Sequence, residues 1–277
     1  MKWYGDWQNR EHVRHFDSRS ALDDRNLALN YDSLNDVCLL NERVDRQKEL
    51  NLLEVGCATG ELYRYLQNKF PKVIYYGFDI SRPAIDRAKE KYPEGKLFVN
   101  SSDVKISDTL KELRLPENPE VVYAKDVVHH QIRPFEFLVD LLKIPSEMLI
   151  IRCRTRDIGR TEVDPERSCQ YHYRGWMPYI VINLEELIDH ITREVPGCEV
   201  VVYRNRMVLG GQYNRFLPKD CYLPETGTAE TAVGVFKNTR YPEKVTIEDR
   251  VDRNPKYTLC YRLKSYARRA LSALAKW

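Results

Sequence analysis

A chain of 277 residues can fold as one large α/β domain or two smaller ones. Its 43% hydrophobic and 31% charged residues exclude fibrous, low-complexity and wholly disordered chains. A net charge of +3, from 44 basic and 41 acidic residues, is too balanced for a surface that tracks nucleic-acid phosphates over the whole molecule.

Residues 1–48 are polar, with scattered aromatics (Trp3, Tyr4, Trp7, Phe16) and a helix-compatible stretch at Leu34–Arg46, and read as a helical N-terminal cap. From residue 49 short apolar runs alternate with amphipathic segments, the pattern of βαβ units and a mostly parallel sheet. Strands are predicted at 51–55, 73–78, 96–99, 120–124 and 147–153, and helices at 61–69, 82–91, 106–113 and 134–142. Pro83 suits a first helical turn, and Ser81 is the available N-cap before it. Residues 154–180 break this rhythm. They are too long for an ordinary connection, and Tyr171, His172, Tyr173 and Trp176 favour a lid over disorder. Asn183 then caps a helix to about Thr192, and strands follow at 198–203 and 231–236, seven in all. A doubly wound α/β domain over 49–237 is therefore expected, with a linker and a terminal helix in 238–277.

That last helix carries Leu259, Leu263, Tyr266, Ala267, Ala270, Leu271 and Leu274 at helical spacing, with six basic and no acidic residues from Lys256 to Trp277. It reads first as a basic amphipathic helix docked on its own protein or a neighbour. The sharper reading is peripheral contact with anionic lipid, Trp277 lying at headgroup level. No uncharged apolar run approaches the roughly 18–20 residues that span a bilayer, and the N-terminus lacks the apolar segment of a secretory signal. The seven cysteines include no CxxC pair, so neither a metal site nor a disulfide framework is expected, and a cytoplasmic location follows.

The informative segment is LLEVGCATG, residues 52–60, an apolar strand that ends in Glu54, Gly56, Cys57, Ala58 and Gly60 and opens into a helix at Glu61. Glycines there let a ligand approach the backbone at the carboxyl end of a strand. The spacing is not the GxGxxG of a dinucleotide fold, and no lysine follows to make a phosphate-binding loop. Glu54 disfavours a phosphate by like charge, so a neutral or cationic ligand fits better.

These residues resemble the first motif of the class I S-adenosylmethionine-dependent methyltransferases, an acidic residue before a turn of small residues. The next strand ends in Asp79, followed by Ile80, at the place where that family's acidic residue takes the ribose hydroxyls. Ser102 and Asp103 resemble its adenine-contacting position. Asp126 to His130 lie where its fourth strand ends beneath the methyl donor. The resemblance covers about residues 48–237 and implies a seven-stranded Rossmann-like fold, S-adenosylmethionine as cofactor and methyl transfer as the activity. It implies Glu54, Gly56, Cys57, Ala58, Gly60, Asp79, Ile80, Ser102, Asp103 and Asp126 as cofactor contacts.

Read from the residues alone, the Asp79 carboxylate suits a ribose diol, and Glu54 can complement an ammonium group. His130, and less so His129, can relieve a hydroxyl of its proton as the methyl group transfers, or can merely shape the pocket. A small-molecule or saccharide O-acceptor is expected. Two alternatives stay open: an RNA or protein methyltransferase using Arg152, Arg154, Arg156 and Arg160 as phosphate contacts, and a cofactor-binding scaffold without catalysis.

Overall fold

The computed structural model describes residues 5–20, 23–101, 105–113, 115, 118–172, 174–206, 214–237 and 244–250. Ser102, Asp103, Tyr173 and the basic segment 251–277 lie outside the described residues, and with them the adenine contact and the C-terminal helix expected there.

After a 3-10 turn at Gly5–Gln8, three helices open the chain: α1 (Arg10–Ser20), α2 (Asp24–Asp32) and α3 (Asn35–Arg43). The alternating region follows as β1 (Leu50–Val55), α4 (Glu61–Lys69), β2 (Val73–Asp79), α5 (Arg82–Lys91), β3 (Lys96–Val99), α6 (Ile106–Glu112), β4 (Val121–Lys125), α7 (Pro134–Lys143) and β5 (Met148–Arg156). Beyond it come β6 (Cys169–His172), β7 (Gly175–Pro178), β8 (Ile182–Asn183), α8 (Leu184–Glu194), β9 (Glu199–Arg206), β10 (Arg215–Phe216), β11 (Ala229–Phe236) and β12 (Lys244–Asp249).

The main sheet runs β12-β9-β11-β5-β4-β1-β2-β3, with β8 pairing alongside β5. Pairing is parallel from β3 to β5, while β11 lies antiparallel to both β5 and β9. This is the doubly wound sheet expected from the alternating pattern and the Rossmann-like fold the resemblance implied, with nine strands among the described residues rather than seven because β8 and β12 join it. From β1 the chain steps outward to β2 and β3, then returns to lay β4 on the other side of β1. That reversal opens a crevice at the carboxyl ends of β1 and β4, where open α/β sheets bind ligands.

Alternation along each strand sends side chains into two layers. Leu53 and Val55 join a core covered by Leu110 of α6, Leu138 and Leu141 of α7 and Leu187 and Ile191 of α8. Leu50 and Leu52 face the opposite core, closed by Leu39 and Leu40 of α3, Leu62 and Leu66 of α4 and Ile85 and Ala88 of α5. Burial on both faces is why the central strands are nearly continuous apolar runs. The caps also follow the sequence: Ser81 Oγ accepts from the Ala84 N–H at 3.3 Å, and Asn183 Oδ1 from the Glu186 N–H at 3.0 Å.

Three features differ from the sequence reading. β12 pairs parallel with β9 where a linker was expected, because Val245 and Ile247 alternate with polar neighbours and suit a half-exposed edge strand. The segment 154–180 begins as strand, since β5 runs to Arg156. The rest of it supplies the β6–β7 hairpin, which with β10 forms a separate three-stranded sheet. The N-terminal cap holds α1 and α2 besides the expected helix α3.

Candidate active site

The turn after β1 is stitched to the end of β2. The N–H groups of Gly56 and Cys57 both donate to the Phe78 carbonyl, at 2.7 and 3.0 Å, and the Gly60 N–H returns to the Cys57 carbonyl at 2.9 Å. Three residues of the turn take positive φ: Gly56 at 83°, Ala58 at 47° and Gly60 at 82°. Glycine is required at the first, because a Cβ there would collide with the Val127 side chain in the loop after β4. Ala58 carries the cost of a left-handed backbone in return for a directed N–H, which donates to Asp79 Oδ2 at 2.8 Å.

Asp79 is 9% exposed, and its Oδ1 accepts from the Ser81 N–H at 2.8 Å. Burial pushes its carboxyl up, and the backbone N–H groups of Ser81, Ala58 and Ile80 pull the other way. Two of the roughly four lone-pair sites of a carboxylate are thereby occupied, which leaves acceptor capacity for a ligand. Gln8 closes over this point from the N-terminal cap: its Nε2 donates to the Ile80 carbonyl at 2.6 Å, and its Oε1 accepts from the Arg82 N–H at 3.2 Å. Glu54 is 5% exposed, accepts a hydrogen bond from the Tyr75 hydroxyl and makes no ion pair among the described residues. Burial pushes its carboxyl up to about 8, against the Tyr75 bond and the charge of Lys125.

On the other side of the crevice Asp126 adopts φ 57°, and its carboxylate is held by Arg152 through both oxygens and by Arg154 Nη1 at 3.4 Å. Arg152 also reaches Asp36 of α3 at 3.6 Å and Glu230 of β11 at 3.2 Å, and Arg154 reaches Glu230 at 2.9 Å. Burial alone pushes the Asp126 carboxyl up, but the two guanidinium groups overrule it and hold it well below the usual range. Arg156 pairs with Asp220. Arg152, Arg154 and Arg156 are therefore engaged by carboxylates inside the protein and form no phosphate-contacting surface, unlike the exposed Arg160.

His129 and His130 follow in a short 3-10 turn, both buried. His130 Nδ1 lies 2.7 Å from the Pro178 carbonyl, which fixes that nitrogen as the donor and leaves Nε2 as an acceptor. Burial holds His130 down to about 4 and His129 well below its ordinary value. Both rings are neutral at pH 7, and His129 Nδ1 has no partner among the described residues. The His129 carbonyl accepts from the Ile180 N–H at 2.8 Å, tying the β4 loop to the segment after β7.

Aromatic residues from distant parts of the chain complete this end. Trp7 sits edge-on to His130 at 5.4 Å and to His12 at 4.9 Å. His15 of α1 meets His172 of β6 at 5.9 Å, and Tyr179 stands against His129 at 5.3 Å. Glu11 binds Arg174, at the hairpin tip, at 2.7 Å. The cap thus bridges the Asp79 side of the crevice to the β6–β7 hairpin. Of the expected lid residues, Tyr171 packs on Trp176 at 5.3 Å, and Trp176 on Phe216 of β10 at 5.2 Å. Gln8, His12, Tyr179 and Arg215 were not among the expected site residues; no local motif marks them, since each acts through contacts between segments far apart in sequence.

A family model described as a methyltransferase domain matches residues 53–144, from the middle of β1 to just past α7. Residues 53–144 are thus similar to a methyltransferase domain. Malonyl-[acyl-carrier protein] O-methyltransferase of Priestia megaterium (strain DSM 319 / IMG 1521) is 37% identical over 57 residues, 21% of this chain. The match spans about a fifth of that relative's own length, 21%. Among solved structures, a TehB-like S-adenosylmethionine-dependent methyltransferase from Corynebacterium glutamicum aligns with 18% identity over 83% of this chain and 100% of that one, TM-score 0.47. Phosphoethanolamine N-methyltransferase 2 of Haemonchus contortus aligns with 13% identity over 82% of this chain and 60% of that one, TM-score 0.49. The [4+2]-cyclase SpnF aligns with 13% identity over 73% and 80%, TM-score 0.48.

S-adenosylmethionine is the cofactor that the resemblance of the β1 turn and Asp79 implies for this crevice. The residues of the crevice fit it. Asp79 keeps acceptor sites for a diol, the Gly56 turn brings backbone within reach of a nucleoside, and Glu54 is a buried carboxyl without an ion-pair partner among the described residues. When bound, the cofactor supplies an electrophilic methyl group on a sulfonium.

Proposed function

We propose that this methyltransferase domain transfers methyl to the oxygen of a small-molecule or saccharide acceptor held between the β4 loop, the N-terminal cap and the β6–β7 hairpin. The observation that carries the proposal is the Glu54–Gly60 turn hydrogen-bonded to the tip of β2, with Asp79 facing it through Ala58. In this reading Asp79 holds the ribose hydroxyls, Glu54 complements the amino-acid ammonium, and the glycine turn admits the nucleoside between them. Direct displacement at a methyl carbon needs alignment above all. Neutral His130, its Nδ1–H committed to Pro178, offers Nε2 to an acceptor hydroxyl and orients the attacking lone pair. A ring held down to about 4 is a weak base, so its part is chiefly orientation; the hydroxyl proton passes to Nε2 as the oxygen–methyl bond forms and from there to solvent. Among the described residues no helix is long and apolar enough to cross a membrane, and the tail's docking or lipid contact is left to its own sequence pattern.

The test is transfer of labelled methyl from S-adenosylmethionine to a panel of sugars and small hydroxylated metabolites. Turnover that disappears in Gly56→Arg, whose side chain must enter the space of Val127 and the crevice, supports the proposal. Cofactor binding with every hydroxylated acceptor untouched overturns O-methylation, and methylation of amine or carbon acceptors in the same panel redirects it.

A further inference from the structure

The acceptor end of the crevice contains one guanidinium that no carboxylate meets among the described residues. Arg152, Arg154 and Arg156 are each neutralised by Asp or Glu. Arg215, the first residue of β10, is not. Its Nε is buried without a hydrogen-bond partner, and its guanidinium lies over the ring of Tyr179, 4.8 Å from the centroid. An arginine cannot shed its proton to escape burial, so a buried N–H on it stays charged and unsatisfied until an acceptor arrives. The aromatic face supports the cation from one side and leaves the planar N–H fork free for a bidentate partner.

Tyr179 connects this cation to the proposed chemistry. Its ring meets His129 at 5.3 Å and His130 at 5.7 Å, and its hydroxyl accepts from Arg154 Nε at 3.2 Å. Arg215 therefore stands across one tyrosine ring from the imidazoles below the transfer site. His172 of the hairpin faces the same space; burial first, and the charge of Arg215 second, hold its ring below its ordinary value, so it remains neutral and brings no competing cation.

We propose that Arg215 binds an anionic group of the methyl acceptor, a carboxylate or a phosphate, seated against Tyr179. The anion anchors the acceptor at a point away from the reacting atom, and that remote contact aligns the attacking oxygen. In naming the bound molecule a methyl acceptor, the inference rests on the proposed function; the anion contact itself can be measured independently.

Malonate and inorganic phosphate serve as probes, titrated by calorimetry at constant ionic strength into the full chain with and without S-adenosylhomocysteine. The wild type should bind at least one of them saturably, and Arg215→Gln should weaken that binding by about tenfold or more. Arg215→Lys, which keeps the charge and loses the fork, should fall between the two. The tighter probe identifies the group as carboxylate or phosphate. S-adenosylhomocysteine titrated into each variant reports an intact crevice. No saturable anion binding by the wild type, or equal binding by Arg215→Gln or Arg215→Lys, overturns the inference. Failure of S-adenosylhomocysteine to bind the wild type overturns the methyltransferase reading instead, and the anion titration without it still reports on Arg215.

Discussion

The two ends of the crevice are built by different means. At the cofactor end, two consecutive βα units supply most of the parts, with Gln8 of the cap closing over them, and most joints engage backbone groups: Phe78 with Gly56 and Cys57, Ala58 and Ser81 with Asp79. At the acceptor end the parts come from α3, the β4 loop, β5, β11, the hairpin and the N-terminal cap, and the joints are side chains, with three carboxylates gathered round Arg152. Backbone joints between neighbours in sequence tolerate changes elsewhere in the chain. Side-chain joints between remote segments fail together when one member goes. The cofactor end should thus be locally robust and the acceptor end globally coupled.

The most severe way to break this contrast is Arg152→Ala. It leaves the buried Asp36 without its cation and the half-buried Asp126 and Glu230 with Arg154 alone, and a loss of about 3–5 kcal/mol in unfolding free energy is expected. Urea unfolding at pH 7 measures it, and a loss below about 1 kcal/mol would mean that the network is not what joins α3 to the sheet.

A second effect separates the two ends by pH. His12 and His130 are both held down to about 4, chiefly by burial, whereas an unfolded histidine titrates near 6.5. A depressed folded value means that their stabilising contribution is complete above about pH 6.5 and is lost as pH falls through that value toward 4. Each shift corresponds to on the order of 3 kcal/mol over that window. His12→Gln and His130→Gln should each flatten the acid side of the stability profile, read from urea midpoints between pH 7 and 4.5; unchanged profiles in both would show that these rings are solvated in solution.

Glu54 has the opposite sign. Its folded value, raised to about 8 from an ordinary 4.5, means that the neutral carboxyl is preferred and that its contribution fades as pH climbs from 4.5 to 8. A ligand ammonium favours the carboxylate, so cofactor binding at pH 7 should release up to about one proton, detected as buffer-dependent binding heat, and tighten as pH rises toward 8. Glu54→Gln should remove that proton and weaken binding about tenfold.

The same division explains what the sequence revealed. Glu54, Gly56, Gly60 and Asp79 stand in a strand-turn-helix-strand run, so their spacing alone predicts that they meet, and Ser81 and Asn183 announce their helices for the same local reason. Asp126 is legible as the residue that follows β4, but its commitment to Arg152 and Arg154 depends on β5 lying beside that strand in register. The partners of His130 lie still further away, at Trp7 and Pro178, and Arg215 opens a two-residue strand with no periodicity to read. The edge strand β12 reads as a linker in sequence because its charged residues and exposed Val245 and Ile247 carry little of the signal that marks a buried strand.

The central claim is that the Gly56 turn and Asp79 together hold an S-adenosyl ligand. Calorimetric titration of S-adenosylhomocysteine into wild-type protein and into Asp79→Asn tests it most directly. One ligand per chain on the wild type is predicted, with an affinity loss of about tenfold or more in Asp79→Asn, titrated at a temperature where both proteins are folded because the amide can keep only one of the two backbone bonds from Ser81 and Ala58 and should lower the unfolding temperature. No binding by folded wild-type protein, or equal affinity in the variant, would contradict it.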